Sequence, residues 1–339
     1  MASGGGEVAT GPDAKRQKAD EEKQHFYPIG TPGEAWGEAE RAQWLEHAGT
    51  VKRSYADEVL AKLKPLEELF DVQKYGALSH DAERYPLFVI KTRDWDPAAK
   101  PSLLVTGGTH GYETSGVQGA LLFAQTAMAK YAERFNIAVV PCVSPWSYEC
   151  IQRWNPATID PNRSYVANSP AEECALVVDL VASLAVPQWT CHLDLHETTD
   201  SDLLEFMPAK ASRDGLTRED EVIPDGFYLM GCVDAPQHGW HKAMIDAVRE
   251  VTHIAPADAD GAAGILGMPI TQEGVVVSNP VGKGKGVANA TFATTTEVYV
   301  FCRWMSYGIP LIHILCTPSL LLFTPIYTRY TPYIHLIHL

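Results

Sequence analysis

The sequence predicts an α/β fold, a single domain with a central, mostly parallel mixed sheet that is flanked by helices. The first observation is that short runs rich in apolar and β-branched residues alternate along the chain with longer runs of helical spacing. The second is that the short runs end at Gly, Pro or Asp, as expected of buried strands in a sheet covered on both faces. The third is a composition of 46% hydrophobic and 20% charged residues, typical of a soluble globular protein with an ample core.

The predicted elements alternate between strand and helix over most of the chain. Residues 34–70 show helical spacing ahead of the first strand. Six runs are predicted as buried strands, at residues 87–92, 102–108, 136–143, 190–196, 226–233 and 290–300. Three segments between them are predicted as helices, at residues 115–135, 170–185 and 239–251.

Changes in composition predict three regions. Residues 1–27 are rich in Gly, Ala and charge without apolar periodicity, and they are predicted to be a disordered tail. Residues 28–300 are predicted to form the folded domain. Residues 301–339 form a low-complexity apolar tail in which Thr-Pro recurs every seven residues. We hypothesise that this tail is non-native, from a retained intron or a shifted reading frame, and that it packs poorly on the domain.

The charge balance disfavours polyanionic partners. A net charge of −15, from 42 acidic and 27 basic side chains, disfavours nucleic acid and anionic membranes, because both require clustered Lys and Arg. Prolines interrupt every apolar stretch of the last 39 residues, so a membrane anchor is not expected there. Small molecules or peptides are the expected partners, and the sequence leaves the oligomeric state open.

Cysteine usage and the N-terminus favour a cytoplasmic location. The seven cysteines are odd in number and form no C-x-x-C pair, and the N-terminus lacks the apolar core of a secretory signal. The cysteines are expected to be small buried thiols. The stretch Lys15-Arg16-Gln17-Lys18 is a weak candidate for nuclear import, with a solvated charge run as the competing interpretation.

The first group of residues suited to chemistry lies in Gly107-Gly108-Thr109-His110-Gly111-Tyr112-Glu113, between a predicted strand and a predicted helix. Ligands bind at the carboxyl ends of strands in α/β sheets. His110 and Glu113 are three residues apart, so a tight loop can aim an imidazole nitrogen and a carboxylate oxygen at one zinc ion. Taken alone, H-x-x-E is common, and a histidine at a helix start beside an exposed Glu is the competing interpretation.

The second group is the strand Cys191-His192-Leu193-Asp194-Leu195-His196. In a strand His192, Asp194 and His196 share one face, because side chains alternate with a period of two. His196, at the carboxyl end, is the natural third ligand, and Asp194 is placed to orient a ligand histidine. His192 lies deeper in the sheet, and we interpret it as structural.

Two further groups carry charge at positions where chemistry is plausible. Arg153, and Asn162 and Arg163 in Asp160-Pro161-Asn162-Arg163, lie in a loop where they can bind a carboxylate, although a surface turn is the competing interpretation. Glu297 lies in the apolar, β-branched strand at 290–300, where a buried charge needs a partner or a function. Beside a zinc-bound water, Glu297 would act as general base and then as general acid.

Together and in this order, G-G-x-H-G-x-E, D-x-N-R, D-L-H-x-T and T-T-E resemble the zinc carboxypeptidase superfamily, which includes succinylglutamate desuccinylases and aspartoacylases. The resemblance spans about residues 100 to 300 and stops after Tyr299. It implies a zinc-carboxypeptidase-like domain over 28–300, with one zinc per chain. It implies the following roles: zinc ligation by His110, Glu113 and His196, binding of the substrate carboxylate by Asn162 and Arg163, general-base catalysis by Glu297, and polarisation of the scissile carbonyl by Arg153.

The resemblance implies a zinc metallohydrolase, and three activities stay open. The first is a metallocarboxypeptidase that cleaves the amide bond next to a free C-terminal carboxylate. The second is a deacylase of small N-acyl amino acids, and the third is an inactive zinc-binding product with an aberrant C-terminus. No pocket tyrosine is assigned. A further pair, His238 and His241, has no accompanying carboxylate motif, and both are expected to be surface histidines.

Overall fold

A computed structural model of the chain describes residues 27–217, 225–257, 270–278 and 287–299. The predictions for residues 1–26, including the basic stretch at 15–18, and for residues 301–339 lie outside the described residues. The described residues form two compact units, one of residues 27–46 together with 200–217, and the other of residues 47–199 together with the described residues from 225 on. The predicted boundaries of one domain at 28 and 300 stay a prediction.

The larger unit contains one mixed sheet. Its described strands are β1 (Asp71–Ala77), β2 (Pro86–Lys91), β3 (Ser102–Gly107), β4 (Asn136–Val140), β5 (Cys191–Thr198), β6 (Phe227–Cys232), β7 (Ile270–Gln272), β8 (Val275–Ser278) and β9 (Phe292–Tyr299). They lie side by side in the order β1-β2-β4-β3-β5-β9-β6-β8-β7. The four central strands β4, β3, β5 and β9 are parallel to their neighbours within that group.

All six predicted strands are present, and the predicted α/β class with a mixed sheet is confirmed. Three strands were not predicted, β1 at one edge and the short pair β7 and β8 at the other. Edge strands are less apolar because one side of the strand has no neighbour in the sheet, and β1 accordingly contains Gln73 and Lys74. The sequence pattern of a buried strand is weak in such segments.

The helices follow the predicted positions with one break. The described α-helices of four residues or more are α1 (Glu38–Ala48), α2 (Thr114–Thr126), α3 (Met128–Tyr131), α4 (Pro145–Cys150), α5 (Glu172–Ser183), α6 (Met207–Asp214) and α7 (His238–Arg249). The helix predicted over 115–135 is interrupted at Ala127, whose φ of −125° is not helical. Helical turns at Ala56–Leu60, Ala61–Leu63 and Lys64–Glu68 form the later part of the segment predicted to be helical, whereas residues 49–54 before them are not helical.

The two faces of the central sheet are covered by different helices. On one face, Leu104 of β3 and Ala293 of β9 belong to an apolar cluster that includes Val177 of α5. Both are in register with His192 of β5, so the face that carries the predicted histidines is the face that α5 covers. On the other face α2 packs so closely on β5 that a Cβ at Gly116 would overlap the carbonyl oxygen of Leu195.

The smaller unit joins two chain segments by hydrogen bonds. Trp36 Nε1 donates to Ser212 Oγ at 3.1 Å, and Ser212 Oγ donates to the carbonyl of Ile29 at 2.7 Å. Trp36 and Ile29 are both buried, so this small core consists of residues far apart in sequence.

Across the described residues, no helix combines the length and apolar character that crossing a bilayer requires. The five cysteines that the structure describes are free thiols, and each is buried.

Candidate metal centre

The predicted ligands meet at the carboxyl edge of the parallel strands. Strand β3 ends at Gly107, and Gly108 turns the chain with a φ of +65°, which an L side chain rarely adopts. The loop that follows presents His110 and Glu113 immediately before α2. Strand β5, the neighbour of β3, presents His196 near its own carboxyl end. Ligand sites in α/β sheets occur at such edges.

His110, Glu113 and His196 form one buried cluster. Each offers one ligand atom, and these atoms all lie within 4.8 Å of one another. His110 Nδ1 is 2.5 Å from Glu113 Oε1, and His196 Nδ1 is 2.8 Å from Glu113 Oε2. The imidazole rings of the two histidines meet edge to face, with an interplanar angle of 77°. The two Nδ1 atoms and one carboxylate therefore converge on a single point.

The remaining nitrogen of each imidazole faces a second carboxylate. His110 Nε2 is 3.1 Å from Asp160 Oδ1, and His196 Nε2 is 2.9 Å from Asp194 Oδ2. A carboxylate only accepts, so the Nε2 atoms donate to Asp160 and Asp194, and the Nδ1 atom of a neutral imidazole then keeps its lone pair for a metal ion. Carboxylates of this kind orient metal-ligating histidines. The sequence suggested this contact for Asp194, whereas Asp160 was recognised only as part of D-x-N-R.

The charges around the cluster favour a cation. Burial would raise the pKa of Glu113, but the charges of His110 and His196 lower it below the usual carboxyl range. Burial also raises the pKa of Asp194, but His196 together with His192 and Thr106 lowers it to about 2. Burial would lower the pKa of His196, yet Glu113 and Asp194 raise it well above the ordinary value. The fixed carboxylates thus stabilise positive charge where the ligand atoms converge.

A metal ion fits this arrangement. Glu113 Oε2 is buried 2.8 Å from His196 Nδ1, an atom that has no proton to donate when the imidazole is neutral and protonated at Nε2. A buried carboxylate oxygen without a donor is costly unless an ion completes its surroundings. Two imidazoles and one carboxylate that leave a coordination position open are the ligand set of catalytic zinc sites.

The predicted carboxylate-binding residues lie beside the cluster, in the loop that Asp160 organises. Asp160 accepts from the backbone N–H of Asn162 at 2.9 Å and from Arg153 Nε at 3.4 Å. Burial raises the pKa of Asp160, but Arg153 and His110 lower it well below the ordinary value. Arg163, exposed, interacts electrostatically with Asp160 and Glu297.

Arg153 has a second partner that the sequence did not indicate. Its Nη1 donates to Tyr112 Oη at 3.2 Å, and the buried Tyr112 ring stacks on His110 with the centroids 6.1 Å apart. Tyr112 is the x of H-G-x-E, a position that a motif leaves unspecified, which explains why it was missed. Arg153 is therefore connected to the metal cluster both through Tyr112 and through Asp160.

Glu297 lies next to the cluster in the sheet. In the parallel pairing of β5 and β9, Glu297 is the partner of His196, so both side chains leave the sheet on one face. Glu297 Oε2 accepts from Thr198 Oγ1 at 3.0 Å, and Thr198 Oγ1 lies 2.8 Å from Tyr228 Oη. Since the Thr198 hydroxyl gives its hydrogen to Glu297, Tyr228 donates to Thr198. The alternation of β5 placed Thr198 on this face, but nothing in the sequence indicated Tyr228.

Two of the other histidines that the sequence suggested, His192 and His241, are buried outside this cluster. His192 is buried, with Nε2 2.9 Å from Thr106 Oγ1, and its pKa is lowered by burial. The expectation that both His238 and His241 lie at the surface is wrong for His241, which is 3% exposed. His241 shares the buried face of α7 with Met244 and Ile245, three and four residues further on.

Replacing Asp160 by Asn is expected to weaken the binding of a divalent metal ion by about 10- to 100-fold, the range for partners that orient a ligand histidine. The variant removes the anion that faces His110 Nε2. Competition with a chelator on metal-free protein measures the affinity. Asp246→Asn is the control, because Asp246 is an exposed carboxylate of α7 that pairs with Lys242 at 2.6 Å. If Asp160→Asn and Asp246→Asn bind the metal ion equally tightly, Asp160 does not orient His110 for metal binding.

No protein-family model and no curated protein sequence matches the chain. Among solved structures, a candidate metallopeptidase from Shewanella amazonensis matches with 18% identity and a TM-score of 0.56, over 80% of this chain and 90% of that one. A candidate metallopeptidase from Shewanella baltica matches with 17% identity and a TM-score of 0.56, over 85% and 100%.

A metallo-carboxypeptidase from Burkholderia cenocepacia also matches, with 13% identity and a TM-score of 0.52, over 80% of this chain and 69% of that one. At these identities the likeness shows the fold. The chain has the zinc carboxypeptidase fold, as the motifs implied.

Proposed function

We propose that the chain is a zinc-dependent metallocarboxypeptidase that hydrolyses the amide bond next to a free C-terminal carboxylate. The observation that carries this proposal is the convergence of His110, Glu113 and His196 within 4.8 Å, with Glu297 in register beside His196. The ligand set favours zinc over other metals, since two imidazoles with one carboxylate and an open position suit it. When bound there, zinc would supply an acidified water and a Lewis acid for the carbonyl oxygen.

Glu297 has the surroundings that a general base needs. Its carboxylate takes the proton of the attacking water and later returns it to the leaving amine, so the residue ends each cycle ionised. The hydroxyl of Thr198 donates to Oε2 at 3.0 Å and so fixes the direction of the carboxylate. The register with His196 keeps this carboxylate beside the metal centre.

The cationic loop accounts for the choice of a substrate with a free carboxylate. Asn162 and Arg163 bind the terminal carboxylate, and Arg153 donates to the oxygen that becomes negative in the transition state. Arg153 and Arg163 both interact electrostatically with Asp160, whose Oδ1 lies 3.1 Å from His110 Nε2, and this supports a substrate carboxylate bound near the metal cluster. A bidentate guanidinium fits a planar carboxylate better than a lysine ammonium does.

A substrate panel tests the proposal. Peptides with free C-termini are expected to be cleaved one residue at a time, with activity lost to a chelator and restored by zinc, because the metal completes the site. The same peptides with amidated C-termini are the matched control, and they are expected to stay intact. Release of acetate or succinate from N-acyl amino acids, with peptides untouched, would favour the deacylase activity instead. No hydrolysis by zinc-loaded protein would contradict both.

A further inference from the structure

Arg53 contacts the loop that carries two of the metal ligands, from a part of the chain that precedes every strand of the sheet. Its Nη2 donates to the carbonyl of Gly111 at 2.5 Å, and its Nη1 donates to Thr114 Oγ1 at 2.6 Å. Gly111 directly follows His110, and Thr114 directly follows Glu113. The guanidinium therefore bridges both ends of the turn that separates the two ligands.

Tyr148 fixes the position of the Arg53 guanidinium. Arg53 Nε donates to the carbonyl of Tyr148 at 2.6 Å, and the guanidinium carbon lies 3.5 Å from the centre of the Tyr148 ring. Tyr148 Oη donates to Glu58 at 2.6 Å and accepts from Gln118 Nε2 at 2.9 Å, so the ring cannot turn away. A planar cation stacked on an immobilised ring loses little further freedom when it forms its hydrogen bonds.

The backbone around Arg53 is also anchored. The N–H groups of Lys52 and Arg53 donate to the carbonyl of Glu149 at 2.8 and 3.2 Å. The N–H of Tyr55 donates to the Glu149 carboxylate at 2.8 Å. The segment that contains Arg53 is thus hydrogen-bonded to helix α4. This attachment fixes the backbone from which the guanidinium reaches the loop.

The loop needs such support because its own backbone is irregular. Glu113 precedes α2 with φ −78° and ψ +77°, outside the helical region, and no side chain caps the helix from this position. Small rotations of the turn would move the Glu113 carboxylate and the His110 imidazole relative to His196. Metal sites require ligand atoms to be placed to within a few tenths of an ångström.

We propose that Arg53 is a positioning residue for the metal centre. It holds the carbonyl of Gly111 and the hydroxyl of Thr114, and so aims His110 and Glu113 at the point that His196 also faces. The role rests on the proposed function, since zinc is taken as the metal. Lysine cannot replace Arg53, because one ammonium cannot present three donors in a plane to these three acceptors.

The test measures zinc affinity of the full chain by chelator competition, together with the visible spectrum of the cobalt-loaded protein. Arg53→Ala and Arg53→Lys are expected to bind zinc about 10-fold or more weakly, as when a supporting partner of a ligand is lost, and to change the cobalt spectrum. Thr114→Val removes one of the three contacts and is expected to show a smaller loss in the same direction. Added guanidinium ion at millimolar concentration is expected to restore most of the affinity in Arg53→Ala, but none in Arg53→Lys.

Arg84→Ala is the matched control, because Arg84 donates to the Glu149 carboxylate at 2.7 Å, the group that also accepts from the N–H of Tyr55. Wild-type zinc affinity in both Arg53 variants would overturn the proposal. An equal loss in Arg84→Ala, without rescue by guanidinium, would also overturn it, because the effect would then be general destabilisation. A wild-type chain that binds no zinc would contradict the proposed function itself, which separates the two failures.

Discussion

Glu297→Gln is expected to lower kcat by about 10² to 10⁴, the range for removal of a general base, while zinc affinity stays at the wild-type value. Glutamine keeps the shape of the side chain and can still accept from Thr198 Oγ1, the contact that measures 3.0 Å in the wild-type chain. It cannot take a proton from water. Steady-state hydrolysis of a C-terminally free peptide, with zinc content measured on the same sample, checks both halves of the expectation.

Glu273→Gln is the control for this substitution, because Glu273 is an exposed carboxylate that pairs with Arg249 at 2.9 Å, away from the metal cluster. It is expected to retain full activity. Near-normal turnover by Glu297→Gln would assign the base to another group. A parallel loss of zinc and activity would show instead that Glu297 supports the metal site.

His196→Ala is expected to abolish stoichiometric zinc binding and with it all hydrolysis above background. The substitution removes one of three ligands and also the imidazole between Glu113 and Asp194, at 2.8 and 2.9 Å. Two buried carboxylates then lose the imidazole that lies between them, which is destabilising, so the melting temperature of the metal-free protein is expected to fall as well. Elemental analysis, peptide hydrolysis and circular dichroism on heating measure the three effects.

The matched control is His192→Ala, in the same strand and on the same face, also buried and hydrogen-bonded. Because His192 bonds to Thr106 and is not one of the three converging ligands, the variant is expected to lose stability but to keep zinc. Loss of zinc in both variants would show that strand β5 as a whole, and not His196 in particular, supports the metal. Retention of zinc by His196→Ala would remove the residue from the ligand set.

The parts of the site that sequence analysis could predict are those fixed by local rules. His110 and Glu113 come together because three residues of loop separate them, and His196 faces them because β5 alternates with a period of two. Glu297 was predicted from the cost of a charge in an apolar strand. Its position beside His196 depends on β9 lying next to β5, a pairing between segments about a hundred residues apart that only the fold shows.

The parts that were missed depend on long-range hydrogen bonds. Asp160 with His110, Tyr228 with Thr198, and Arg53 with the ligand loop are each a contact between segments at least 30 residues apart, and no spacing rule reports such pairs. The error at His241 has a different cause. Near the start of an amphipathic helix, a histidine can be assigned to either face. Met244 and Ile245, one turn later on α7, are buried and place His241 on the buried face.

Zinc content of the purified full chain tests the central claim most directly. The protein is dialysed against a weak chelator to remove loosely held ions, and metals are then determined by elemental analysis. We expect about one zinc per chain, as two imidazoles and one carboxylate bind it. No stoichiometric transition metal in the purified chain, and no binding when zinc is added back, would contradict the account.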